Sequence, residues 1–344
     1  MISQTHRKLE QEVAVTGAAT AGKKEYPNSA TTQSFQAGNY KAGTERLLHE
    51  ADGRYSIRAH AKINLGLRIF PVRPDGFHDL ESWMVPISWH DTLFFSRGGP
   101  LTLKISGRSA GVPTEIEKNL VGKAALKLAE AGGVEPSGTI ELHKVLPPGG
   151  GLGGGSSDAA NALVGLNELW ELNLSTARLE SIAAELGSDV ALFVQSHASL
   201  CTGRGEIMTP LPPQHSLYAV LILPQQGLGT KEVYQAFDAG YQHKPGTVPA
   251  KTNWNKYAAA SAAELNETLV NDLEPPAFAI APWLAALREE ATHSAGQKVH
   301  MTGSGSTLFT LSPTADAATI MQEKLGANLE GKCACVPVRI LKQR

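Results

Sequence analysis

The chain has 344 residues, enough for one large or two medium domains that each bury a core of their own. Charged residues make up 19 per cent and the net charge is −2, so no basic surface is offered to a nucleic acid backbone. No apolar run approaches the roughly 20 residues that cross a bilayer; the three cysteines, Cys201, Cys333 and Cys335, lack zinc or redox spacing and read as buried thiols in a reducing cytosol.

Residues 1–50 are rich in Thr, Ala, Gly, Gln and Ser and read as a disordered or loosely attached extension. They lack the apolar core of a secretion signal, and Glu10, Glu12, Glu25 and Glu45 fit poorly with an organelle transit peptide. Order begins with YSIRAHAKINLGLRIF (55–70), whose alternation predicts a strand. One lysine, Lys62, interrupts its apolar pattern. Such a charge must be hydrated or paired, either by snorkelling from a strand end or by serving a site. Asn64 shares its face. Asp75-Gly76 marks a turn, and Phe77 and His78 behind it would by themselves be ordinary packing.

A helix is predicted from Asn119 to Ala131. An apolar strand from Thr139 to Leu146 carries Lys144 and leads into a loop of six glycines. This loop, Pro148, Gly149, Gly150, Gly151, Leu152, Gly153, Gly154 and Gly155, ends at Ser156 and Ser157, and a helix runs on to about Trp170. Glycines let a ligand lie against the main chain, and a helix start presents free N–H groups and a positive dipole end. That combination suits phosphate. Gly149, Gly151 and Gly154 satisfy the dinucleotide fingerprint, but no acid follows on a second strand; Glu168 and Glu171 fall on or just after the same helix. The Gly-Lys-Ser/Thr of a Walker loop is missing too.

Ser175 is placed to cap a helix ending at Gly187. Asp189 opens the next short segment, where a first-turn acid is favoured by the helix dipole. SLYAVLILP (216–224) predicts a buried strand. Beyond it, helices at 231–240, 254–265, 276–294 and 315–325 alternate with strands at 298–311 and 333–341, an α+β order with 242–252 as a loop.

The string PPGGGLGGGSSDAA resembles the phosphate motif of the GHMP kinase superfamily, and other segments match in order from about Tyr55 to Phe309. AHAKINL resembles the family's P-A-K-I-N-L, and LGSDVALFV its L-G-x-D-V-P-x-F, with His60 and Ala191 where proline is usual. The resemblance implies a two-domain α+β kinase: an extension (1–50), a nucleotide-binding domain (51–214) and a C-terminal α+β domain (215–344), with the active site in the cleft between. It implies Asp189 as catalytic base and Lys62 paired with it, Asn64 on the substrate, and ATP with Mg²⁺ as cofactors. The glycine loop, Pro148 to Ser157, would hold phosphates, with Asn119 and Lys144 as further nucleotide contacts; it names no protein ligand for the metal.

DGFHDL resembles the family's D-G-Y-H-x-L, whose aromatic ring and histidine hold a cytosine. Phe77, which replaces the tyrosine, and His78 therefore point to a small alcohol bearing a cytidine diphosphate group rather than to homoserine or galactose. Thr230 matches a substrate-side threonine, and Arg204 lies in a loop near that base. NDLE (271–274) and MTGSGSTLF (301–309) match loop motifs of the second domain. A cytoplasmic enzyme follows, and monomer and homodimer both stay open. A nicotinamide oxidoreductase would rest on three glycines alone, and a non-catalytic nucleotide sensor would have no need of the base.

Overall fold

The computed structural model describes residues 47–240 and 251–342. The expected extension at 1–50 thus lies almost wholly outside the described residues, as does most of the loop at 242–252.

A short β1 (Leu48–His49) precedes the two long strands β2 (Tyr55–Val72) and β3 (His78–Pro100), an antiparallel hairpin turning at Arg73–Phe77. Then come β4 (Thr102–Gly107), α1 (Leu120–Gly132), β5 (Ser137–Lys144), α2 (Gly154–Leu169), α3 (Thr176–Leu186), α4 (Ser188–Gln195), β6 (Ser199–Thr202) and β7 (Ile207–Pro210). These strands form one sheet in the order β1-β2-β3-β5-β4, with β6 beside β3 and β7 beyond it. One end of the hairpin packs Ile57, Ala59, Leu93 and Phe95 against helices α1 to α4.

The second half contains β8 (Tyr218–Pro224), α5 (Thr230–Gly240), α6 (Trp254–Ala259), α7 (Ala262–Thr268), α8 (Glu274–Ile280), α9 (Pro282–Ala295), β9 (His300–Met301), β10 (Leu308–Ser312), α10 (Ala315–Asn328) and β11 (Cys333–Arg339). Its sheet runs β11-β8-β10-β9, all antiparallel. The two sheets are not separate bodies. Ala61, Ile63 and Leu65 of β2 share one core with Leu221, Phe309 and Val338, and Leu67 and Ile69 join another with Val220, Phe237 and Leu308. This explains why β2 is buried almost throughout instead of alternating: it is covered on both faces.

Local signals decide several boundaries. Asn119 and Ser175 cap α1 and α3 through their side chains. The helix expected at 254–265 is broken in two because Ser261 and Glu264 form a capping box that starts α7 afresh. The one expected at 276–294 is interrupted at Ala281, where Pro282 opens α9. The strand expected at 298–311 is two short strands joined by a turn at 302–307. Among the described residues no helix is long and apolar enough to cross a membrane.

Candidate active site

Strand β2 departs from regular pairing with β3 at three places, between His60 and Lys62, between Asn64 and Gly66 and between Ile69 and Val72. Such bulges re-aim side chains, and the first two bracket Lys62 and Asn64. Both are buried, and the Lys62 ammonium donates to Asn64 Oδ1 at 2.7 Å. Asn64 in turn donates through Nδ2 to Ser82 Oγ at 2.7 Å. Lys62 is thus held by the Asn64 amide. Burial pushes its ammonium below the ordinary lysine value, while the charge of Asp189 opposes that shift.

The glycine loop lies over this pair. The Lys62 backbone N–H donates to Leu152 O at 3.0 Å, and the Leu152 side chain is buried in the shared core. Gly151 and Gly153 have φ of 74° and 69°. A Cβ at Gly151 would stand 2.8 Å from Gly305 O, and one at Gly153 would stand 2.7 Å from the Phe193 ring and 3.4 Å from Lys62 Cγ. Only glycine fits both the angle and the space. The cap residue of α2 is Gly153, with no side chain bonded to the first-turn N–H groups. A cradle without side chains at an uncapped helix start fits a phosphate group.

Asp189 stands exposed in the first turn of α4. Its field reaches Cys201 and Tyr234: burial first, and that charge second, pushes the Tyr234 phenol up to about 12. Burial likewise pushes the Cys201 thiol up to about 12, against the pull of Lys62. Tyr234 comes from α5, so the second half of the chain reaches the same centre.

The turn at 302–307 completes the site. Thr302 Oγ1 accepts the Asn64 backbone N–H at 2.7 Å, Thr307 Oγ1 donates to Gly150 O at 2.6 Å, and Ser304 Oγ meets Thr230 Oγ1 at 2.9 Å. The NDLE segment anchors the turn. Asn271 Nδ2 donates to Met301 O and Gly303 O, both at 2.8 Å, and Glu274 accepts the Met301 N–H at 2.7 Å.

At the hairpin tip Phe77 is 49 % exposed, and the Arg204 guanidinium stacks over its ring at 3.7 Å. His78 is bonded through Nδ1 to Phe70 O at 2.6 Å and through Nε2 to Asp238 at 2.8 Å.

Three residues expected on the nucleotide have their side chains engaged elsewhere. Asn119 caps α1 through Oδ1 and donates to Pro113 O at 2.7 Å. Ser157, fully buried, donates to His60 O at 2.7 Å. Lys144 is buried between Asp91 and Asp158. Burial is the common reason: each polar group sits where solvent cannot reach and takes a protein partner. Conversely, Tyr234 was not singled out, Thr302, Ser304 and Thr307 entered only within the MTGSGSTLF match without a role of their own, and Cys201 was read only as a buried thiol.

The models for the GHMP kinases N terminal domain and the GHMP kinases C terminal domain match residues 119–198 and 255–331. The chain is 37% identical over 272 residues to a 4-diphosphocytidyl-2-C-methyl-D-erythritol kinase of Nocardia farcinica, covering 78% of this chain and 88% of that one. It is 40% identical over 266 residues to the same-named enzyme of Pelotomaculum thermopropionicum, covering 76% and 90%. A crystal structure of 4-(cytidine 5'-diphospho)-2C-methyl-D-erythritol kinase superposes with a TM-score of 0.68 at 30% identity, over 83% of this chain and 98% of that one. A homoserine kinase from Cytophaga hutchinsonii, at 18% identity and a TM-score of 0.63, shares the fold over 86% and 97%.

Proposed function

We propose a reaction for this chain from one premise: it belongs to the 4-diphosphocytidyl-2-C-methyl-D-erythritol kinase family of the GHMP kinases. It is an ATP-dependent small-molecule kinase that phosphorylates the 2-hydroxyl of 4-diphosphocytidyl-2-C-methyl-D-erythritol, a step of the non-mevalonate route to isoprenoid precursors. The observation that carries this reading is the convergence of three segments. The glycine loop is bonded at Leu152 to Lys62 and at Gly150 to Thr307, so phosphate cradle, buried cation and second-half turn form one unit.

Phosphoryl transfer asks the protein mainly for alignment and charge stabilisation. The N–H groups at the start of α2 and the glycine backbone hold the phosphate chain. Asp189, exposed at the α4 start, takes the proton of the attacking hydroxyl. Lys62, held in place by Asn64, stabilises charge on the moving group. Asn64 and Thr230 border the acceptor, and Phe77 and His78 receive the cytosine. Mg²⁺, when bound, would supply charge neutralisation for the nucleotide phosphates, and the Asp189 carboxylate and Ser156 hydroxyl carry oxygens of the kind that would hold it. We assign residues 51–214 as the nucleotide-bearing domain, residues 215–344 as its partner across the cleft, and the cytoplasm as the place of the reaction.

The test is ADP release by the purified protein with MgATP, offering the cytidyl diphosphate compound beside homoserine, galactose and mevalonate. Turnover of the cytidyl compound alone, abolished in Asp189→Asn, is the expected outcome. Turnover of another alcohol would overturn the substrate, and full activity of Asp189→Asn would overturn the base.

A further inference from the structure

Beneath the glycine loop lies a cluster of buried ions that the reaction just described does not use. Lys144, the last residue of β5, donates to Asp91 of β3 and, at 2.6 Å, to Asp158 of α2. The second oxygen of Asp91 accepts the backbone N–H groups of Val145 and Leu146 at 2.5 and 2.8 Å. Those two residues carry the chain from β5 into the loop, and Asp158 stands a turn into the helix that leaves it. The ammonium lies behind Gly154, 3.6 Å from where a Cβ would project. Three ions therefore join the two ends of the loop from its buried side.

We propose that Asp91, Lys144 and Asp158 act as one positioning unit that holds both ends of the glycine loop and so sets its affinity for nucleotide phosphates. The proposal rests on the kinase reading above and makes Lys144 a positioning residue, not a nucleotide ligand. Buried ions do this better than apolar groups because their partners and directions are specific, whereas their net contribution to stability is small. Charge balance is consistent with it. Asp158 Oδ1 is buried with no partner, and burial together with the charge of Asp91 raises the Asp158 carboxyl well above its ordinary value. Burial opposes protonation of Lys144, but its two carboxylates outweigh this and raise it. Opposed shifts of this kind mark the three groups as one electrostatically coupled cluster.

The test measures equilibrium binding of a fluorescent ATP analogue to the full chain, beside steady-state KM values for ATP and alcohol. Variants are confirmed as folded by near-ultraviolet dichroism. Asp158→Ala is expected to weaken the analogue about tenfold, a change of about 1.4 kcal/mol. Asp158→Asn, which keeps an acceptor for Lys144, should restore binding to within about threefold. Lys144→Met/Asp158→Ala should be no weaker than Asp158→Ala, because residues acting as a unit are not additive. The KM of the alcohol should stay within about twofold throughout, a split that general loosening of the fold would not produce. Analogue affinity unchanged in both Asp158→Ala and the double variant would overturn the proposal. So would a loss on Lys144→Met with none on Asp158→Ala, which would put Lys144 on the nucleotide itself. Lys144→Met leaves two buried carboxylates; the double variant removes that of Asp158 while Asp91 keeps the N–H groups of Val145 and Leu146, so a fold lost in the single leaves the test intact. Wild-type protein that binds the analogue but phosphorylates no alcohol would sink the kinase reading while the binding series still decided the triad.

Discussion

Asn271→Asp changes side-chain volume very little and strikes the anchor of the 302–307 turn. Asn271 Nδ2 donates to Met301 O and Gly303 O, both at 2.8 Å, while Oδ1 accepts the Leu273 N–H at 3.0 Å. Aspartate keeps the acceptor and loses both donors, setting an oxygen against two carbonyls. Two net hydrogen bonds are worth about 2 kcal/mol, and each carbonyl left without a partner adds about 1–3 kcal/mol. Rearrangement and entry of water reduce the upper figure, so we expect a loss of about 3 kcal/mol, a large part of a typical stability of about 5–15 kcal/mol. The same loosening frees Thr302 from Asn64 and Thr307 from Gly150, so kcat/KM should fall by about 10- to 100-fold, the rate equivalent of roughly 1.4–2.7 kcal/mol. Urea unfolding followed by tryptophan fluorescence gives the stability, with an unchanged m-value required for the comparison. A loss below about 1 kcal/mol with unaltered kcat/KM would refute the reasoning, because the anchor would then hold nothing that matters.

Gly153→Ala should raise the KM for ATP sharply. It forces a left-handed residue at a cost of about 1–2 kcal/mol and drives a methyl to 2.7 Å from the Phe193 ring; Phe193→Leu in the same chain should recover part of the loss in steady-state kinetics. Activity should fall on the alkaline side below the ordinary lysine value of 10.5, because burial lowers the Lys62 ammonium and the neutral amine cannot stabilise charge. Stability moves the other way there: above its folded value and below 10.5 the unfolded chain binds more protons at Lys62, so this contribution rises with pH. Urea midpoints beside a pH–rate profile check both signs. Phe77→Ala removes the ring on which Arg204 stacks and should raise the KM of the cytidyl substrate about tenfold, with the KM of ATP unchanged in the same assay.

Much of the site was legible along the chain because its signals are local. A glycine run before a helix start identifies a phosphate cradle, a lysine in an apolar strand marks a residue with a task, and Ser175 names a cap without any knowledge of the fold. The capping box at Ser261 and Glu264 was equally local, and it explains the break that helical periodicity alone passes over. What the chain order could not disclose is which distant groups meet. Lys144 and Asp91 are 53 residues apart, and Asn64 and Thr302 are 238 apart. Motif position suggested nucleotide for Lys144, while the tertiary structure buries its ammonium between Asp91 and Asp158. Sequence by itself therefore determined the kind of chemistry, since residue type and near spacing govern turns, caps and phosphate affinity. Only the tertiary structure decided which polar atoms remain free to act. That depends on bulges in β2 and on the turn at 302–307, where groups far apart in the chain satisfy one another once water is excluded.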